Sequence, residues 1–313
     1  MFRTILCASL LSAVVSQGAA AQQKIVTVIV NDPSNPFWFA EGEAAKRQAQ
    51  SLGYRVHVYA HSGDLKTEAQ LMSRAIAHQS SAILLDPASS EKSLSSIRAV
   101  KDAEIPVFIL NSRVKEGISQ GQFVSDNLAC ARNSAMNFAR FMGQKGRYII
   151  LHGPGSDLNS KLRRSGFEEV LQGYPELQPV ASVVASWKRD VAFELVTGLV
   201  ASGVKFEGIL AANDEMALGA FDAVRNESWA AGIAIGGFDG SPEAVRAVAE
   251  SKLSYTVLQP IVEISRKATI QMDSLIRSGK TLASAEVQSF PCDIITVQNA
   301  PLALQSGFEL QTQ

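Results

Sequence analysis

The chain has 313 residues, 29 basic side chains against 30 acidic ones, and 46% hydrophobic residues. Such a length is generous for one core, so two domains are expected. With the charges balanced and no Lys/Arg run, the electrostatic footprint of a nucleic-acid binder is missing.

The first 21 residues read apart from the rest. Arg3 gives a weakly positive start, Ile5 to Val15 an apolar core, and Ala19, Ala20 and Ala21 a small-residue cleavage site before Gln22. That core is shorter than the roughly 20 residues a membrane-spanning helix needs. Cys7 stands at the start of the apolar core, the wrong end for lipid attachment. Export of the mature chain is therefore expected. It would leave Cys130 and Cys292 in oxidising surroundings, but their spacing does not decide whether they bond. No Cys-x-x-Cys pair supports a metal or redox motif.

From Lys24 onward, short β-rich runs alternate with windows of helical apolar spacing. The spacing predicts strands at Ile25–Val30, Arg55–Ala60, Ala82–Leu85, Val107–Leu110 and Gln122–Val124. Helices fall between them at Phe37–Leu52, Leu65–Ala77 and Glu91–Ala103, with Gly53 and Pro106 as stop signals. A second cycle has strands at Arg147–Leu151, Val180–Ala185, Gly208–Ala212 and Ile233–Gly237. Its helices are Leu128–Met142, Leu158–Leu171, Val191–Ala201, Glu215–Val224 and Pro242–Glu250. Tyr255–Val257, a helix at Ile261–Ile276 and a last strand near Asp293–Val297 complete the chain. This is an α/β pattern, a parallel doubly wound sheet written twice, with two lobes facing one another across a cleft.

In such folds ligands bind outside the carboxyl ends of the strands, so the strand-to-helix junctions are the candidate site. After the first strand comes Asn31, then Asn35, Pro36, Phe37 and Trp38. Pro36 suits a first helical position and Asn35 a cap, with the two aromatics opening the helix. Asn111, Ser112 and Arg113 follow the Val107–Leu110 strand, and Trp187 follows Val180–Ala185. Asn213 follows Gly208–Ala212, Asp239 follows Ile233–Gly237, and Gln259 precedes the last long helix. Each has a structural alternative: Asn213 as a helix cap, Asp239 as a turn residue, the rings as core. Amides, a carboxylate and aromatic faces nevertheless recur at the same edge of both sheets. They suit a hydroxyl-rich guest, which gives and takes hydrogen bonds and presents C–H patches to rings.

At these junctions the chain resembles the periplasmic sugar-binding proteins of the ribose-binding type. The resemblance is carried by Asn35-Pro36-Phe37-Trp38, Ser125-Asp126-Asn127, Asn213-Asp214-Glu215-Met216-Ala217-Leu218-Gly219 and Gly237-Phe238-Asp239-Gly240. Gly166-Phe167 and Thr256 to Gln259 add to it. It implies two Rossmann-like lobes joined by three crossovers, the periplasmic binding protein type I arrangement. Residues 1–21 are then a signal peptide, 24–125 plus 260–293 the first lobe, and 126–259 plus 294–313 the second. It also implies a sugar contacted by Asn35, Phe37 and Trp38 from the first lobe and by Trp187, Asn213, Asp239 and Gln259 from the second lobe and hinge. Asn31 stands where a small polar residue is usual.

Two departures bear on the ligand. Asn111-Ser112 replaces an Asp-Arg pair, with Arg113 one place later, and Lys161 is read as the stand-in for the family's second arginine. An arginine fork cannot be reproduced by an amide or a single ammonium. The resemblance therefore points to another pentose, a hexose or a sugar alcohol in place of ribose. No cofactor or metal is expected, and no chemistry on the ligand. The expected partner is an ABC permease in the inner membrane, or else a chemoreceptor or sensor kinase, served by a periplasmic monomer.

Other readings fit less well. A related gene regulator would carry a DNA-binding helix-turn-helix where the leader stands. His152-Gly-Pro-Gly-Ser156-Asp157 is neither a nucleophile elbow nor a phosphate loop. His57 and His61 are four apart on a strand and its turn, where that spacing does not make one face.

Overall fold

The computed structural model describes residues 23–115, 117–279 and 286–306, so the leader read at 1–21 lies outside it. The first lobe opens with β1 (Ile25–Val30), α1 (Pro36–Ser51), β2 (Arg55–Ala60), α2 (Leu65–Ala77), β3 (Ala82–Leu85), α3 (Leu94–Asp102), β4 (Val107–Leu110) and β5 (Gly121–Ser125). The second follows as α4 (Asn127–Phe141), β6 (Gly146–His152), α5 (Leu158–Leu171), β7 (Leu177–Val184), α6 (Arg189–Ala201), β8 (Gly208–Ala211), α7 (Asp214–Val224), β9 (Ala234–Gly236), α8 (Pro242–Ala249) and β10 (Thr256–Leu258). Then come α9 (Ile261–Ser278), β11 (Val287–Phe290), β12 (Asp293–Ile295) and α10 (Ala300–Ser306).

The first sheet runs β11-β5-β4-β3-β1-β2, all parallel. β3 and β4 are buried along their whole length, as strands covered by helices on both faces must be. Along β1 the pleat splits the side chains between two cores: Val26, Val28 and Val30 join the cluster that includes α1, and Ile29 joins the one under α2 and α3. The second sheet runs β7-β6-β8-β9, also parallel. The antiparallel pair β10–β12 adjoins it through bridges of Gly236 with Tyr255 and Asp239 with Leu258. The α/β class and the doubly wound lobes expected from the alternation are thus present.

Three passages connect the lobes. β5 leaves the first sheet and enters α4, which packs on α5 and the β9–β10–β12 side. β10 leaves the second lobe for α9, which packs on α1 and on β3, β4 and β5. β11 pairs with β5 in the first sheet, and two residues later β12 pairs with β10. The sulfurs of Cys130 and Cys292 are bonded, which the spacing alone left open. The bond ties the third passage to the first turns of α4, directly after the first passage.

The departures from expectation are local. β11 was not anticipated, because Val287-Gln-Ser-Phe290 is short, half polar and half exposed, as an edge strand can be. α10 was likewise unread. β7 starts at Leu177, three residues earlier than expected; Pro179 sits within it, tolerated because β7 is an edge strand with a register shift opposite Tyr148 and Ile149. α3 begins at Leu94, after a Ser89–Ser93 turn.

Candidate ligand-binding site

The carboxyl ends of both sheets face a cleft of about 890 Å³, with an inner chamber of about 20 Å³ at its base. Asn35, Phe37, Trp38 and Asn111 line the chamber from the first lobe. Asp157, Asn159, Arg163, Trp187, Asn213 and Asp239 line it from the second. Asn31 and Asp86 add to the walls of the wider cleft.

On the first lobe, Asn35 accepts from the Phe37 amide at 2.9 Å and caps α1, with Pro36 at the first helical position. The cap turns Phe37 and Trp38 inward. Asn111 ends β4 in a left-handed conformation (φ 58°). Its Nδ2 donates to the Asp86 carboxylate at 3.1 Å, while its own oxygens accept from Asn159 Nδ2 at 3.2 Å. The lobes thus already touch beside the chamber. Burial holds the Asp86 carboxyl well above the usual range, opposed by the Asn111 amide.

The second lobe builds its half around Arg163, which is buried on α5. Its Nε donates to Asn127 Oδ1 at 2.8 Å and its Nη1 to the Ala212 carbonyl at 2.7 Å. Nη1 also lies 3.5 Å from Asp239 Oδ1. The guanidinium stands 3.9 Å from the centre of the Phe238 ring and 5.3 Å from that of Trp187, so its faces are covered by aromatics. Asp239 accepts from Gln259 Nε2 at 2.8 Å. Burial pushes the Asp239 carboxyl up to about 7, against the opposing pull of Arg163 and Gln259. Trp187 donates Nε1 to Asp157 at 3.1 Å, and its ring lies on Gly153, where any Cβ would collide with it.

The Asn213-Asp214 pair divides two tasks between adjacent residues. Asn213 accepts from the Met216 amide at 2.9 Å as the cap of α7, and donates to the Trp187 carbonyl at 3.3 Å. Asp214 turns inward and accepts from the Ser241 amide at 2.7 Å and the Thr256 hydroxyl at 2.6 Å. It thereby fixes the loop that carries Asp239. Trp187 (φ 67°) and Asp239 (φ 127°), like Asn111, hold backbone conformations costly for residues with a Cβ. Such strain gathers where side-chain direction matters.

Over residues 25–281 the chain matches the periplasmic binding protein domain. The D-apiose import binding protein of Actinobacillus succinogenes is 34% identical over 292 residues, covering 93% of this chain and 94% of that protein. The chain belongs to the periplasmic binding protein family. The ribose import binding protein of Escherichia coli is 26% identical, over 91% of this chain and 95% of that one. Among solved structures, the Caulobacter myo-inositol binding protein bound to myo-inositol superposes with a TM-score of 0.83 at 24% identity. The match covers 90% of this chain and 96% of that one, a likeness of fold.

Within this periplasmic binding protein, Asn35, Phe37, Trp38, Asn111, Trp187, Asn213 and Asp239 converge on the inner chamber, and Asn31 on the cleft. Gln259 lies one step behind, fully buried against Asp239. Ser112 is buried but lines neither cavity. Two expectations need correction. Arg113 is exposed, its side chain turned away at the strand end. Lys161 is also exposed, because the inward stripe of α5 runs through Asn159, Ser160, Arg163, Gly166 and Phe167. The cation of the chamber is therefore Arg163, two residues on. Helical periodicity carried that signal, since Arg163 stands four after Asn159 and four before Phe167. Asp86 was missed although it follows β3 as Asn111 follows β4, and Asp157 although it caps α5.

Proposed function

We propose that this chain is an exported solute-binding protein that delivers a neutral sugar or sugar alcohol to an ABC importer. One observation carries the reading: amide, carboxylate, guanidinium and indole groups from two separate lobes line a single chamber. Such a set matches hydroxyls by donating and accepting, and covers C–H faces with rings. The relatives bear on the same class, since they are named for the import of D-apiose and ribose. With about 20 Å³, the inner chamber has room for roughly one water molecule. A monosaccharide would thus enter from the cleft and the lobes would part, then close over it by rotation about the three passages. The ligand does no more than bind and leave; no reaction is catalysed. Cleavage of the leader near Ala21 would release the mature monomer to the periplasm, where the permease reads the closed lobes.

The retention of Arg163 removes half of the argument against ribose, since only the Asp-Arg pair is replaced. D-Apiose is the first ligand to test. The mature protein should show a clear rise in melting temperature, confirmed by calorimetry, with one among D-apiose, D-ribose, D-allose, xylitol and myo-inositol. A flat response to all five would sink the sugar reading.

A further inference from the structure

The bond between Cys130 and Cys292 sits on the hinge, and neither cysteine lines the cleft. Its role follows from how the three passages are held on each side. On the first-lobe side the first and third passages run together. β11 pairs with β5 as far as Phe290 opposite Ser125, and the Asp126 amide donates to the Phe290 carbonyl at 2.8 Å. On the second-lobe side the third passage is held to the second by β12 on β10, a ladder of only three residues in each strand. α4, the root of the first passage, is tied to the second through Tyr255, whose hydroxyl donates to the Ser134 carbonyl at 2.8 Å. The Cys130–Cys292 bond ties α4 to the third and so completes the triangle.

Little chain is then left to turn. In the first passage it is Asp126, between Ser125 of the ladder and Asn127 of α4. In the third it is Pro291, between Phe290 and Cys292, and its ring leaves ψ as the soft angle. Asp126 (φ −72°, ψ 72°) is neither helical nor extended, and Pro260 in the second passage holds much the same conformation (φ −81°, ψ 53°). With the bond made, the roots of the first and third passages move as one piece, and rotation is confined to these pivots. With the bond cut, β12 can shift off α4 and carry the third passage through a wider range. Freedom gained by the open form has to be given up on closing, so the ligand is held less tightly.

We propose that the Cys130–Cys292 bond is a clamp on the hinge that limits lobe rotation, so that ligand affinity depends on its redox state. The proposal rests on the closure step described above and not on which guest the cleft takes. A dithiol opens the clamp in two steps. One thiolate attacks the sulfur of Cys292, half-buried between the exposed Pro291 and Asp293, and expels the thiolate of the buried Cys130. The second thiolate attacks the mixed disulfide and releases Cys292. The protein bond thus gains two electrons and two protons to become two thiols, while the dithiol becomes a disulfide.

The test compares oxidised protein, protein reduced with dithiothreitol and Cys130→Ala/Cys292→Ala, at a temperature where circular dichroism shows them folded. Small-angle X-ray scattering reads the ligand-free chain, and calorimetry reads the tightest binder among D-apiose, D-ribose, D-allose, xylitol and myo-inositol. Reduction and the double variant should each raise the ligand-free radius of gyration and weaken binding about fivefold. Pro291→Gly, with the bond intact, frees the same pivot and should act in the same direction. If the bond-free proteins melt lower yet keep the oxidised radius and affinity, the bond is only a staple of the fold and the clamp is wrong. If they do not fold, Pro291→Gly decides, and an unchanged radius there sinks the proposal. If none of the five sugars binds, the sugar reading falls and scattering alone judges the clamp.

Discussion

The two lobes meet the same cleft prepared in different ways. The second lobe holds its half with its own buried charges: Arg163 is braced by Asn127, Ala212 and Asp239, Asp239 by Gln259, and the loop between by Asp214. The first lobe relies on a helix cap at Asn35 and an amide at Asn111, and leaves Trp38 Nε1 and Glu41 unmatched. A group in a closed polar network cannot be removed without stranding its partners. One outside such a network can change without stranding a hydrogen-bond partner. The second lobe's half of the cleft is thus the more tightly braced, and the first lobe's half the looser.

The sharpest break of that contrast is Arg163→Ala. It strands Asp239 and removes the plate between Phe238 and Trp187. It should cost about 3–5 kcal/mol in urea-unfolding free energy as well as ligand binding. Trp38→Phe, in the looser half, should cost far less. Equal losses in the two would erase the distinction. For the same reason, Asp239→Ala should cost stability as well as binding, since it would leave the Arg163 guanidinium buried with a missing partner.

A second comparison uses pH. The Asp239 carboxyl is raised from 3.8 to about 7. Between those values the folded chain keeps a proton that the unfolded chain has released. Its contribution is therefore complete below pH 4 and fades as pH rises through about 7. Melting temperatures of ligand-free protein should fall across this window. Asp239→Asn should flatten part of the fall; an unchanged slope would mean that other buried acids carry it all.

The smallest effect is expected from the two cap residues. Asn35→Ala and Asn213→Ala should each cost about 1 kcal/mol by denaturant melts. The second should cost more, since Asn213 also holds the Trp187 carbonyl. Equality would place both caps outside the lobe asymmetry.

Most of the cleft lining was legible because a strand that runs straight into a helix declares its junction, and the polar residue there has one edge to face. That logic found Asn35, Asn111, Asn213 and Asp239 without any knowledge of contacts. It failed at Lys161, where a family position was followed in preference to the inward stripe of α5, and at Arg113, where chain adjacency was taken for shared direction. Glu41 could not be read at all: a glutamate on an amphipathic helix looks like a surface residue, and only its complete burial in the fold reveals otherwise. β11 escaped because a short edge strand owes its existence to the neighbour it pairs with.

The bond between Cys130 and Cys292 spans 162 positions and so closes a covalent ring around almost the whole second lobe together with α9. A protease that cuts any loop inside that ring would open it without releasing a fragment, and the nicked chain would run as one species until a reductant is added. The ring can be sealed only once the chain has been made as far as Cys292 and both sulfurs stand in oxidising surroundings.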